Sequence, residues 1–202
     1  IAGGEEYNDI FRTALESVYI LDNLYLRVSS IVDVIREYQE AGVGRSVFGL
    51  IQQALAASAS IRNPYAQAEA YSSIALRSFI GKEQDDASSL ALRAIQILDD
   101  VDGRPGTDQE VQWLVRTSGN LLRLGYRERV DSFINYLSEP VNRFEAYVEL
   151  ARASLKDENE QRARAYFRSA YEEIQDFEDQ QRVLEYLIDL GEKSLRADFE
   201  DQ

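Results

Sequence analysis

The run Pro64-Tyr65-Ala66-Gln67-Ala68-Glu69-Ala70-Tyr71-Ser72-Ser73-Ile74-Ala75 decides how this chain is read, because its pattern recurs. Its second copy is Pro140-Val141-Asn142-Arg143-Phe144-Glu145-Ala146-Tyr147-Val148-Glu149-Leu150-Ala151, starting 76 residues on. The proline, the Glu-Ala-Tyr run, the aliphatic residue and the closing alanine coincide without a gap. Proline costs nothing at the first position of a helix, where its missing N–H would have no partner, so Asn63-Pro64 and Glu139-Pro140 mark equivalent helix starts.

Working outward, the same spacing of small or apolar residues recurs four times. Ala75 is followed by Ala87, Ala91 and Ala94, at steps of 12, 4 and 3, and Ala151 by Ala163, Phe167 and Ala170. Ile35 with Val47, Ile51 and Ala54 repeats it, as does Ser118 with Val130, Ile134 and Leu137. A small residue late in one helix lets the next cross closely. Residues at 4 and 3 spacing then form one stripe on that second helix, facing back. Neither helix hides its stripe alone, so consecutive pairs must stack.

Apolar residues fall at helical spacing nearly throughout, and breakers punctuate them at Gly42/Gly44, Asn63-Pro64, Gly81, Gly103 to Gly106, Gly125, Pro140 and Lys156 to Gln161. The pattern predicts about ten antiparallel helices, near 5–20, 24–41, 45–60, 64–80, 84–100, 108–124, 127–137, 140–155, 159–175 and 178–197. The expected fold class is all-α, an α-solenoid of stacked helix pairs. Residues 1–202 form a single helical-repeat domain in this reading. A partial N-terminal unit (5–20) precedes the pairs 24–60, 64–100, 108–137 and 140–175, and 178–197 is a closing helix.

Composition narrows the chemistry. The 202 residues are 45 % hydrophobic, ample for a core, with a net charge of −14 from 36 acidic and 22 basic side chains. Such a field repels phosphate backbones and anionic lipid, so no nucleic-acid partner is expected. No apolar run approaches the roughly 18–20 residues of a membrane span. Cysteine and histidine are absent, which removes thiolate and imidazole metal ligands and the Ser-His and Cys-His nucleophile pairs. Carboxylate-only Ca²⁺ or Mg²⁺ sites and carboxylate-pair hydrolysis stay chemically open. Asp99-Asp100-Val101-Asp102-Gly103 has the composition of a calcium loop but the wrong register: with Gly103 sixth, the first ligand position is Leu98. Gly42-Val43-Gly44 followed by Gly49 lacks a preceding strand and reads as a helix-to-helix turn, not a dinucleotide loop. No cofactor, metal or catalytic residue is expected. The start Ile1-Ala2-Gly3-Gly4 fits a processed end, following a removed signal or a lipidated residue, and leans the expectation towards an exported protein.

The four spaced sets resemble tetratricopeptide repeats, whose motif has a large residue, an aliphatic-small pair, then Ala, aromatic and Ala on the second helix. Ile31, Tyr71, Leu114 and Tyr147 stand at the large position, and Val34, Ile74, Thr117 and Leu150 at the aliphatic one. The match is divergent. Spacings between small positions are 40, 43 and 33 residues, and 37 more to Ile188 of the closing helix, instead of a uniform 34, and Ile35, Ala75, Ser118 and Ala151 replace the family's glycine. The resemblance implies a right-handed superhelix whose first helices line a concave groove. Carried over position by position, that groove comprises Val32, Arg36 and Gln39; Glu69, Ser72, Leu76 and Phe79; Gln112, Val115, Arg116 and Leu122; and Glu145, Val148, Arg152 and Leu155.

Three arginines beside apolar positions suit a peptide or helix bearing a carboxylate. The plainer alternative makes the apolar members core and leaves the arginines solvated or paired along their own helices. Lys and Asn at the positions of the family's clamp for chaperone tails are missing, which disfavours that ligand. The expected function is a non-enzymatic scaffold or adaptor whose partner is another protein or peptide. Alternatives are a small-ligand or peptide-binding receptor component of the bacterial cell envelope, and a self-assembling structural protein that forms a homodimer through a terminal helix. Tyr65, Tyr71 and Tyr147 have core-like spacing, whereas Tyr25, Tyr126 and Tyr136 are candidates for a partner surface.

Overall fold

The computed structural model describes residues 13–41, 47–81 and 84–175. Within them every regular element is helical. A first helix occupies 13–19 (α1). It is followed by α2 (Leu24–Glu40), α3 (Phe48–Ser58), α4 (Pro64–Ile80), α5 (Gln84–Asp99), α6 (Asp108–Arg123), α7 (Arg127–Ile134), α8 (Pro140–Lys156) and α9 (Glu160–Ile174). No strand occurs among the described residues. The start of the helix expected at 5–20 and the closing helix at 178–197 lie outside them.

The chain divides into two compact units, Ile1–Val101 and Asp102–Gln202. In the first, α4 packs along α5, α2 along α3, and α2 and α3 each against α4. In the second, α8 packs along α9, and α6 against both α7 and α8.

The recurring spacing is the core. Ile35, Ile51 and Ala54, then Ala75, Ala87, Ala91 and Ala94, are buried in unit 1. Ser118, Val130, Ile134 and Leu137, then Ala151, Ala163 and Ala170, are buried in unit 2. Only Val47, just before α3, and Phe167 are half-buried. Each fully buried leucine or isoleucine stabilises the fold by about 1.5–3 kcal/mol relative to exposure, which makes this stripe the main cohesive element. Leu137 belongs to it although α7 ends at Ile134. The chain tightens there through Tyr136 N–H to Phe133 O (3.0 Å) and Leu137 N–H to Ile134 O (3.0 Å), keeping Leu137 turned inward.

Helix ends follow from local residues. Asn23 caps α2, Asn63 caps α4 and Asn159 caps α9 with side-chain oxygens. Thr107 and Glu110 form a reciprocal capping box on α6. The turns that end α6 and α8 share a geometry: Gly125 (φ 93) and Glu158 (φ 55) are left-handed, and the next N–H returns to Leu121 O or Ser154 O at 2.9 Å. Glycine takes that conformation freely, whereas glutamate is strained in it.

Candidate partner-binding faces

The first helix of each pair is tied to the connector that delivers it. Eight residues before Ile35, Ala75, Ser118 and Ala151 stand Arg27, Gln67, Glu110 and Arg143, all long and polar. Arg27 Nε donates to Leu21 O at 3.0 Å. Gln67 Nε2 donates to Ser58 O at 3.1 Å. Arg143 donates through one terminal nitrogen to Leu137 O (2.8 Å) and Ser138 O (2.9 Å). Glu110 has acceptors only, and it takes N–H bonds from Gly106 (2.8 Å) and Thr107 (3.2 Å) instead. The position eight residues before the crossing thus clamps four connectors, from the fourth residue of α2, α4 and α8 and the third of α6, with either sign of hydrogen-bond chemistry, each bond worth about 1 kcal/mol net.

The far ends of the first helices are tied as well. In unit 1, Gln39 Nε2 on α2 donates to Arg77 O on α4 at 2.9 Å. In unit 2, Arg123 on α6 pairs with Asp157 at the end of α8, Nε to Oδ1 at 3.0 Å. Both ends of the first helices are therefore held in place.

The structure separates the expected groove residues into two groups. Val32, Ser72 and Leu76 in unit 1 and Val115, Leu122 and Val148 in unit 2 are buried and act as packing. Glu69 is buried too, with its carboxylate accepting from Ser73 Oγ at 2.9 Å. Phe79, Gln112, Arg116, Glu145 and Arg152 are exposed, and Arg36, Gln39 and Leu155 are half-exposed. The arginines follow the plainer alternative where their contacts are defined. Arg36 lies within 3.3, 3.4 and 4.0 Å of Asp33, Glu37 and Glu40, and Arg152 pairs with Glu149 at 2.9 Å. Such surface pairs contribute at most about 1 kcal/mol and exchange readily with an incoming carboxylate.

A polar cluster that apolar periodicity does not reveal joins α7, α8 and α9. The rings of Tyr147 and Tyr166 stack at 6.3 Å with an interplanar angle of 24°. Arg143 Nε meets Glu173 at 2.9 Å, and the Tyr166 hydroxyl is 3.4 Å from Asp131 Oδ1. Burial, reinforced by the Asp131 carboxylate, pushes the Tyr166 phenol up to about 12, and burial followed by Glu173 raises Tyr147. Both phenols are raised above their ordinary value and stay protonated at neutral pH, able to pack and to donate hydrogen bonds. Of the remaining tyrosines, Tyr65 is buried, Tyr25, Tyr71 and Tyr126 are half-buried, and Tyr136 is exposed. Among the described residues no group of three or more acidic side chains is placed to hold a metal ion, and no helix is long and apolar enough to cross a membrane.

Among the described residues the protein is all-α, with successive helices packed in pairs. No protein-family model and no curated protein matches its sequence. Its fold is similar to the crystal structure of Ton1535 from Thermococcus onnurineus NA1, with a TM-score of 0.67 over 92 % of this chain at 16 % identity. This chain spans 55 % of that chain's length. At such an identity the likeness is one of fold.

Proposed function

We propose that the protein is a non-enzymatic adaptor, a right-handed tetratricopeptide-like solenoid of about ten helices that holds a partner protein or peptide against its first helices. The observation that carries this reading is the fourfold recurrence of one design. Each first helix has a connector clamp eight residues before its crossing residue, and each pair has a buried stripe. Repeating pairs of this kind extend by stacking and present the same helix side again and again, a surface suited to an elongated ligand. In unit 2 that side offers Gln112, Arg116, Glu145, Arg152 and Leu155 above a floor containing Val115, Leu122 and Val148. In unit 1 it offers Arg36, Gln39 and Phe79.

Photocrosslinking tests the assignment of the face. A benzophenone amino acid placed at position 116 or 152 should capture a discrete partner from source lysate. The same group at exposed Leu92, on the second helix α5, should not. Equal capture from all three positions, or capture from position 92 alone, would remove the first-helix face from the proposal.

A further inference from the structure

A second surface starts at the α1–α2 turn and continues along α2, where it adjoins Arg36 of the face assigned above. Ile20 is 79 % exposed, Leu26 50 % and Tyr19 45 %, three large apolar side chains within eight residues of chain. The turn that carries them is held in place. Leu21 N–H reaches Val18 O (3.2 Å), Arg27 Nε reaches Leu21 O (3.0 Å), and Leu26 N–H is capped by Asn23 Oδ1 (3.1 Å). The Tyr19 hydroxyl also bonds Gln53 on α3, and Val18 next to it is buried. The apolar group is therefore displayed outward by an ordered turn, and ordering of the binding surface in advance lowers the cost of docking.

Its surroundings carry one sign of charge. From Leu26 the solvent-facing stripe of α2 runs through Ser30, Asp33, Glu37 and Glu40 at steps of 4, 3, 4 and 3, and its three carboxylates are exposed. Arg36 is the cation among them and is shared by all three. Exposed Glu16 and Asp22 flank the other side, and the Arg27 guanidinium is turned onto the Leu21 carbonyl.

We infer that this patch docks a basic amphipathic segment of a partner protein, with apolar side chains on Ile20 and Leu26 and lysines or arginines along the Asp33–Glu37–Glu40 stripe. The charge disfavours the obvious competitors. A second copy brings another −14 charges, and the stretch preceding Thr13 carries Glu5, Glu6 and Asp9 against Arg12. Anionic lipid is repelled in the same way. A cationic amphipathic helix meets both halves of the surface at once.

Two model helical peptides with the same leucine face test this, one with lysines and one with glutamates on the polar face. Fluorescence anisotropy with the full chain should show binding of the lysine peptide alone. Ile20→Asp/Leu26→Asp should weaken it about tenfold or more, whereas Leu92→Asp, at a leucine 55 % exposed on α5, should leave it unchanged. Asp33→Lys/Glu37→Lys should weaken it and flatten its salt dependence. Thermal melts would confirm that these surface variants fold. The inference is overturned if the lysine peptide fails to bind, or if it binds equally well to Ile20→Asp/Leu26→Asp, which is generic attraction to an acidic chain. It is also overturned if sedimentation shows a wild-type dimer that this variant dissolves.

Discussion

In unit 1 the two helix pairs solve the same packing problem with different residues. At the crossing of α4 with α5 stands Ala75, backed by Ala87, Ala91 and Ala94 on the second helix, all buried. At the equivalent crossing of α2 with α3 stands Ile35, also buried, backed by Ile51 and Ala54. The alanine pair packs the more extensively, helped by the greater length of α5 (16 residues) over α3 (11). Unit 2 repeats the alanine solution at Ala151, with Ala163 and Ala170 buried on α9. A core can be filled either by close backbones and small side chains or by wider spacing and larger ones, and each choice fixes the tolerance of its site.

Exchanging the two solutions is the strongest way to break that comparison. Ile35→Ala should destabilise by about 3 kcal/mol, within the range of roughly 2–5 kcal/mol for buried isoleucine truncation. Ala75→Ile and Ala151→Ile should each cost about 2 kcal/mol by forcing the closely crossed helices apart. Urea unfolding curves measure all three. If Ala75→Ile is neutral, room exists at that crossing and residue size does not set the spacing of the pair.

An alkaline titration sharpens the contrast between the units at a different place. Tyr166 is held up to about 12 by burial and Asp131, whereas the residue 76 positions earlier is Leu90, which cannot ionise. Because the folded-state value lies above the unfolded 10, stability is intact below pH 10. It falls as pH rises from 10 towards 12, since only the unfolded phenol gives up its proton there. The full loss from this group is about 2–3 kcal/mol. Tyr147 is raised as well and adds in the same direction. Tyr166→Phe should therefore reduce the pH slope of stability above pH 10 without abolishing it. An unchanged slope would assign the alkaline loss to other groups.

The stripe was legible in the sequence because burial there is dictated by residue type. An apolar side chain recurring at 4 and 3 spacing has one stable destination, and Val47 and Phe167 alone fall short of it. The open face was legible only in part. Whether Val32, Leu76, Val115 and Val148 face solvent depends on what crosses their helix, and a helix's own periodicity does not contain that. The clamps at Arg27, Gln67, Glu110 and Arg143 escape for a related reason. A long polar residue reads as solvated until the position of the preceding carbonyls or N–H groups is known. The signal was present, as a polar residue always eight positions before the crossing, but it switches between donor and acceptor, so no single residue type marks it. The tyrosine cluster combines positions from three helices and has no linear signature.

The smallest expected effect concerns the two proline starts, which are equivalent in sequence and unequal in structure. Asn63 Oδ1 accepts from the N–H groups of Tyr65 (3.0 Å) and Ala66 (3.2 Å), satisfying donors that the first turn of α4 leaves open. Glu139, in the same place before α8, makes no side-chain cap, and its carboxylate is exposed. Asn63→Ala should cost about 1 kcal/mol, the usual value of a lost cap, whereas Glu139→Ala should change stability by no more than about 0.5 kcal/mol. Glu139→Asn should then stabilise by a few tenths to about 1 kcal/mol, because its extended backbone (φ −83, ψ 130) is close to that of Asn63 (φ −73, ψ 122) and already suits a capping residue. Paired thermal melts decide it. A Glu139→Asn variant that gains nothing would show that Arg143, through its bonds to Leu137 and Ser138, has already fixed the entry of α8 so firmly that a cap adds no further order.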